Sequence, residues 1–204
     1  MDMDFMNLNQ SAHGDREFGH IVTRMRKNRK VVVGHWQDEK AQAKIAVWMR
    51  VSAGWADAQD MRIIRFGDQM NNVAVTDGDK VEAEMRLGYH VDYYPIANLV
   101  ALLNEVTDAE VAELVATYEK EYVIADEQKK NEHFNHQVKE AAKAEIALRR
   151  FLVAKGAKAF TTNFDDLAGI DQLPGLACQR LMAEGYGFGA EGDWKTAALY
   201  RTMW

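Results

Sequence analysis

Cysteine is all but absent: Cys178 is the single one among 204 residues. No disulfide can form within one chain, and a reducing, cytoplasmic setting is expected. Proline is nearly as scarce, with Pro95 and Pro174. Long apolar runs are missing. None approaches the ~20 residues that a membrane-spanning helix needs, so no membrane partner is expected. Positive charge is in deficit, with 25 Lys and Arg against 31 Asp and Glu and a formal net charge of −6. Nucleic acid, which binds basic surfaces, is therefore not an expected partner. The opening Met1-Asp2-Met3-Asp4 is acidic where a secretory leader is basic.

What remains is an ordinary globular composition, 48% apolar and 27% charged. A chain of this length can bury roughly 70% of its surface on folding. Phe18, Ile21, Val22 and Met25 recur at helical spacing and predict a helix over 16–27, with Asn9 or Ser11 as its cap. Residues 31–33, three valines, read as a short buried strand. Asp38 can cap the next helix, whose apolar side carries Ala41, Ile45, Trp48 and Met49.

After Gly54 the pattern changes. Strands are expected over 61–66, 73–75, 90–94 and 158–162, and helices over 81–87 and 96–104. Thr107 and Glu110 form a capping box for a helix burying Val111, Leu114, Val115, Tyr118 and Tyr122. Residues 126–132 are polar and read as a helix start or a loop. A longer helix with Val138, Ala141, Ala144, Leu148, Phe151 and Leu152 on one side ends at Lys155-Gly156. Pro174 suits the first turn of a further helix, and residues 194–204 form the last. Strands alternating with helices predict an α/β fold, a three-layer Rossmann-like sandwich around a mostly parallel sheet. Ligands in such folds gather at the carboxyl ends of strands.

The densest cluster of unusual residues is 185–198. Gly185, Gly187 and Gly189 alternate there, and Glu191 follows just before a helical segment. Such glycines allow the backbone to approach a small ligand closely. Residues 187–192 match G-x-G-x-x-G by letter, the dinucleotide fingerprint. The context speaks against it: 181–186 reads as helix where a strand is required, and Glu191 would face the phosphates. The run Arg24, Arg26, Lys27, Arg29 and Lys30 reads as cations at a helix C-terminus. His133 and His136 have a metal-ligand spacing beside Glu132, but a third ligand is not evident. Asp77-Gly78-Asp79 is a turn leading to a helix cap. Cys178, in an apolar helical segment, is expected to be a buried, inert thiol. His13, among polar residues, can accept or donate a proton.

Several blocks of the chain resemble the L-arabinose isomerases. They are residues 2–14 (Asp2-Met3-Asp4-Phe5 through His13-Gly14), Gly34-His35-Trp36-Gln37-Asp38, Arg65-Phe66-Gly67-Asp68 and the stretch 73–81. Ala159-Phe160-Thr161-Thr162, Gln172-Leu173-Pro174-Gly175 and Gly192-Asp193-Trp194-Lys195 continue the series. The resemblance covers nearly the whole chain and is weakest over 126–139. It implies that residues 1–57 correspond to the end of the family's N-terminal domain and 58–204 to its central α/β domain.

It further implies an aldose–ketose isomerase, converting L-arabinose to L-ribulose and D-galactose to D-tagatose with a divalent cation, usually Mn²⁺, in a homo-oligomer, a hexamer or trimer. By the same resemblance Glu191 binds the metal and helps to move the proton. His13 reaches the site of a neighbouring subunit, and Met70 and Phe164 line the sugar pocket. Family members are more than twice as long. Their second catalytic glutamate and two metal-binding histidines would follow Trp204, so Glu191 is one of four ligands. Asp165, Asp166 and Asp193 are candidate substitutes. A non-catalytic scaffold or oligomerisation role is the alternative that the resemblance allows.

Overall fold

The computed structural model describes residues 2–8 and 11–204. The chain divides into two compact units, Met1–Ser52 and Ala53–Trp204. The first holds α1 (Met3–Leu8), α2 (Ser11–Arg24) and most of α3 (Glu39–Ala58). Of the two expected caps of α2, Asn9 lies outside the described residues, and Ser11 opens the helix. α3 starts as its cap predicts, with the Asp38 carboxylate accepting the Lys40 N–H at 3.0 Å. The apolar stripe of α2 is not buried: Phe18, Ile21 and Met25 are each more than half exposed.

The strand expected at 31–33 does not form. Those residues carry no regular structure, and no strand among the described residues of 1–52 lies alongside to pair with them. Three β-branched residues favour an extended backbone, but a strand exists only where a neighbour takes its N–H and C=O groups.

The second unit is built on a four-stranded parallel sheet in the order β2-β1-β3-β4. The strands are β1 (Arg62–Phe66), β2 (His90–Tyr94), β3 (Ala159–Thr161) and β4 (Gly187–Gly189). Between β1 and β2 lies α4 (Lys80–Leu87). Between β2 and β3 lie α5 (Ile96–Glu105), α6 (Asp108–Glu121), α7 (Asp126–Lys129) and α8 (Glu132–Lys155). α9 (Gly175–Ala183) precedes β4, and α10 (Trp194–Met203) follows it.

The pleat of β1 assigns its side chains to two cores. Ile64 and Phe66 join Phe160 against Leu99, Leu148, Phe151 and Leu181 of α5, α8 and α9. Phe66 meets the Phe151 ring edge-on at 4.9 Å, within the range of favourable aromatic pairs. Ile63, with Met61 and Ala159, packs against Ala83 of α4 and Trp194, Ala197 and Ala198 of α10. Helices thus cover both faces, giving the three-layer α/β sandwich that the alternation of elements predicts.

Local signals set many of the boundaries. The capping box forms as read: Glu110 Oε2 accepts from the Thr107 N–H at 2.9 Å, and Thr107 Oγ1 accepts from the Glu110 N–H at 3.4 Å. Asp79 caps α4, its carboxylate accepting the Glu82 N–H at 2.9 Å. Gly156 closes α8 in the left-handed conformation, φ 61°.

Residues 73–75 are not a strand. The backbone turns there into a single 3₁₀ turn, Ala74–Thr76, with Thr76 Oγ1 donating to the Val73 carbonyl at 2.8 Å. Conversely, Gly187-Phe188-Gly189, read from its glycines as a ligand-approaching loop, is the edge strand β4. Its glycines make room for a helix. A Cβ on Gly187 would collide with the Ala197 carbonyl, and one on Gly189 with the Asp193 carbonyl, both in or just before α10. The close approach these residues permit is strand to helix rather than backbone to ligand.

Candidate active site

The strand order reverses between β1 and β3: the chain leaves β1 toward β2 on one side and returns to β3 on the other. Loops diverging from such a switch point leave a crevice at the carboxyl ends of the strands. The crevice is present here, with a volume of about 470 Å³. Its walls are the loop after β1, Asp68 to Ala74, the loop after β3, with Asn163, Asp165 and Asp166, and Tyr93 near the end of β2.

Side chain to backbone bonds fix these loops to one another. Asn163 Nδ2 donates to the Asp68 carbonyl at 2.7 Å, and Asn163 Oδ1 accepts from the Asp165 N–H at 2.8 Å. Asp165 Oδ2 accepts from the Asn71 N–H at 2.9 Å. Gly67 enters the first loop at φ 74°, and a Cβ there would sit 3.0 Å from Asp166 Oδ2. Beneath them Thr161, Thr162 and Asn163 are buried polar residues at the end of β3.

Glu191 lies in the turn between β4 and α10. Its φ of 64° is left-handed, a conformation that costs a residue with a Cβ about 1–3 kcal/mol. The turn is held from both sides. Gly192 N–H donates to the Thr162 carbonyl at 2.9 Å, and a Cβ on Gly192 would be 2.8 Å from Gln69 Cα and 3.0 Å from the Asp68 carbonyl. The turn carrying Glu191 therefore rests on residues that line the crevice. The Glu191 carboxylate is half-buried and, among the described residues, has no hydrogen-bond or ion-pair partner. Arg26, Asp60 and Asn72 share this left-handed conformation, and Glu191 differs from them in resting on the loop that lines the crevice.

Met70 lines the crevice. Phe164 is 47% exposed between its lining residues Asn163 and Asp165. His13 belongs to the other compact unit, where it is exposed on α2 with Nδ1 3.6 Å from Glu17 Oε1. Asp193, a candidate substitute ligand, is engaged elsewhere: it caps α10, accepting from the Lys195 and Thr196 N–H groups at 3.1 Å and from Thr196 Oγ1 at 2.7 Å. Cys178 is buried, and burial pushes its thiol up to about 12, which disfavours the reactive thiolate.

The sequence reading passed over Arg65. It is 2% exposed, on the face of β1 that it shares with Ile63. Its Nη2 donates to Gln69 Oε1 at 2.7 Å and lies 2.9 Å from Asp68 Oδ1, so it clamps the crevice loop from below. Arg65 Nε and Trp194 Nε1 are buried donors with no acceptor among the described residues. The signal was available: an arginine at an inward position of an otherwise apolar strand has to be buried for a reason.

The donors around Glu191 do not make a closed metal shell. Among the described residues no group of three potential ligands includes it. Asp165 is already bonded to Asn71, and Asp193 to α10. Three or more ligands are the usual minimum for a catalytic ion, a number that the described residues do not gather around Glu191.

The L-arabinose isomerase central domain matches residues 62–204, and the L-arabinose isomerase N-terminal domain matches residues 1–60. The whole chain is 70% identical to L-arabinose isomerase of Phocaeicola vulgatus and 68% identical to that of Bacteroides thetaiotaomicron. It is 56% identical to the enzyme of Herpetosiphon aurantiacus. It spans 41%, 41% and 40% of the lengths of these three relatives. With both domains and the full length of the chain matched, the chain belongs to the L-arabinose isomerase family.

Proposed function

We propose that this chain supplies the central part of an aldose–ketose isomerase site, acting on L-arabinose to give L-ribulose and on D-galactose to give D-tagatose. The observation that carries this reading is the unengaged Glu191 carboxylate, held in a strained turn beside the β1/β3 crevice. Isomerisation moves one proton between neighbouring carbons. Glu191 takes the proton from C2 of the open-chain aldose and returns it to C1 of the enediol, while the O2 proton passes to O1. Met70 lines the crevice, Phe164, exposed between two of its lining residues in the chain, would turn toward the sugar when it binds, and His13 reaches the corresponding site of a neighbouring copy. Mn²⁺ or another hard divalent cation, held by Glu191 with ligands from beyond these residues, would supply charge stabilisation at the two sugar oxygens.

A homo-oligomer, trimer or hexamer, completes the site between subunits in this reading. Leu199 and Met203 are more than half exposed on α10. A mainly apolar groove of about 420 Å³, lined by Ala83, Leu87, Tyr89, Trp194 and Leu199, runs beside them and supports such assembly. A reducing, cytoplasmic setting suits the lone buried thiol.

The incomplete donor set favours a second reading, in which the chain serves as scaffold and assembly module without turnover of its own. The two separate cleanly. The purified chain is assayed for L-ribulose formation from L-arabinose with and without Mn²⁺, beside Glu191→Gln. Turnover that depends on Mn²⁺ and disappears in the variant is expected from the isomerase reading. Identical traces from both proteins would leave the scaffold.

A further inference from the structure

His136, Glu140 and Asp171 lie away from the crevice, on α8 and in the loop between β3 and α9. His136 and Glu140 are one helical turn apart, so their side chains share a face of α8. One ligand atom from each of the three residues lies within 4.8 Å of the others, with His136 Nε2 3.7 Å from Asp171 Oδ2. Tetrahedral zinc, at about 2.0–2.1 Å from each ligand, places ligand atoms about 3.4 Å apart. The His136–Asp171 pair is nearly there, and rotation of these two exposed side chains can bring them closer.

The loop that brings Asp171 is not adventitiously placed. Gln172 Nε2 donates to the Gln137 carbonyl at 2.6 Å, joining the neighbours of Asp171 and His136. Gly169 turns at φ 92° with its Cα against Val100, where a Cβ would meet the valine methyls at 3.1 Å. Beside the three ligands opens a polar cleft of about 240 Å³, lined by Asn104, Glu140, Lys143, Asp171 and Gln172. Lys143 Nζ, 2.6 Å from Glu140 Oε1, competes for that carboxylate and leaves its second oxygen for a metal ion.

We propose that His136, Glu140 and Asp171 form a three-ligand site for a borderline divalent ion of the zinc class, with the fourth position open to water. The mix of one imidazole and two carboxylates suits zinc and its neighbours better than calcium, which prefers six or more oxygens. The site is independent of Glu191 and of the isomerase reading. His133, the other half of the spacing seen in the sequence, is outside the group; Asp171, 35 positions after His136, takes the place of the ligand that local sequence did not show.

Zinc titration of the purified chain by calorimetry tests this, with Co²⁺ absorption reporting geometry. One Zn²⁺ per chain is expected. His136→Ala and Asp171→Asn, both at exposed positions, should each weaken it roughly tenfold or more. Glu191→Gln and His133→Ala should leave it unchanged, and Lys143→Gln should tighten it by removing the competing ammonium. No saturable zinc binding, or binding that both ligand variants leave intact, overturns the site. Loss on Glu191→Gln instead would assign the ion to the crevice.

Discussion

Two regions of the second unit bury charge, and they treat it oppositely. Around Glu145 in α8, both carboxylate oxygens are engaged. The carboxylate is 1% exposed and accepts from Tyr118 Oη at 2.7 Å, Arg180 Nε at 2.9 Å and Arg149 Nη2 at 3.0 Å. The two arginines continue to Glu121 and Glu184, so five residues from α6, α8 and α9 and one just beyond α9 close on one another. Burial, then the bond to Glu145, pushes the Tyr118 hydroxyl far above the ordinary phenol range. At the crevice, by contrast, Arg65 keeps an unpartnered Nε, and Glu191 stands unengaged on a strained backbone. A closed network holds helices together. An open one stores unmet bonding capacity that a ligand can use.

The comparison breaks first on activity. Glu191→Gln should lower the rate of sugar isomerisation by about 10²–10⁴-fold, with an unchanged circular dichroism spectrum. A comparable loss in Arg149→Lys would mean that the helical network also serves catalysis. Next in size is stability. Glu145→Ala removes the buried anion shared by two partly buried guanidinium groups, which keep Glu184 and Glu121, and leaves the Tyr118 hydroxyl without its acceptor; it should cost about 1.5–3 kcal/mol in urea unfolding. A change below 1 kcal/mol would show that solvent reaches this network.

Smaller is the effect of acid on Asp57. Its bonds to Arg201, at 2.8 and 3.0 Å, and to Lys158, at 2.7 Å, outweigh its partial desolvation and hold its carboxyl down to about 2, from 3.8. The resulting stability is complete above the unfolded value and disappears as pH falls through about 2. It should amount to about 1–2 kcal/mol, allowing for the exposure of the Lys158 head group. Unfolding of wild type and Asp57→Asn between pH 6 and 2 checks it, since the two should converge at the acid end. Smallest, and opposite in sign, Glu191→Gly should raise stability by about 1 kcal/mol by releasing the left-handed strain, which Glu191→Ala should not. A glycine variant no more stable than the alanine variant would remove strain from the account of the crevice.

Signals confined to a few residues were legible. The Thr107–Glu110 box, the Asp38 and Asp79 caps and the glycine after Lys155 each act within one helical turn, and each forms as expected. The apolar runs of β1 and β2 were equally plain. The valines at 31–33 and the Val-Ala-Val at 73–75 carried the same β preference without a partner strand, so local preference misled. β4 was hidden for the converse reason: its glycines have low strand preference, but they are what α10 requires of the strand beneath it. Of the crevice, the loops at the ends of β1 and β3 could be placed from strand positions. The resting of Gly192 on Gln69 could not, because it joins positions far apart in sequence; the Arg65 clamp spans only three and four positions but depends on which face of β1 the helices bury.

The sequence by itself determined the α/β class, most helix boundaries, the inert thiol and the kinship, because these follow from periodicity, caps and residue identity read in order. Only the tertiary structure decided that β1 and β3 part around a crevice, that the left-handed turn of Glu191 rests against its loop, and that His136 and Asp171 meet. Sheet order and loop docking depend on which distant surfaces bury one another, and no local window of residues contains that information.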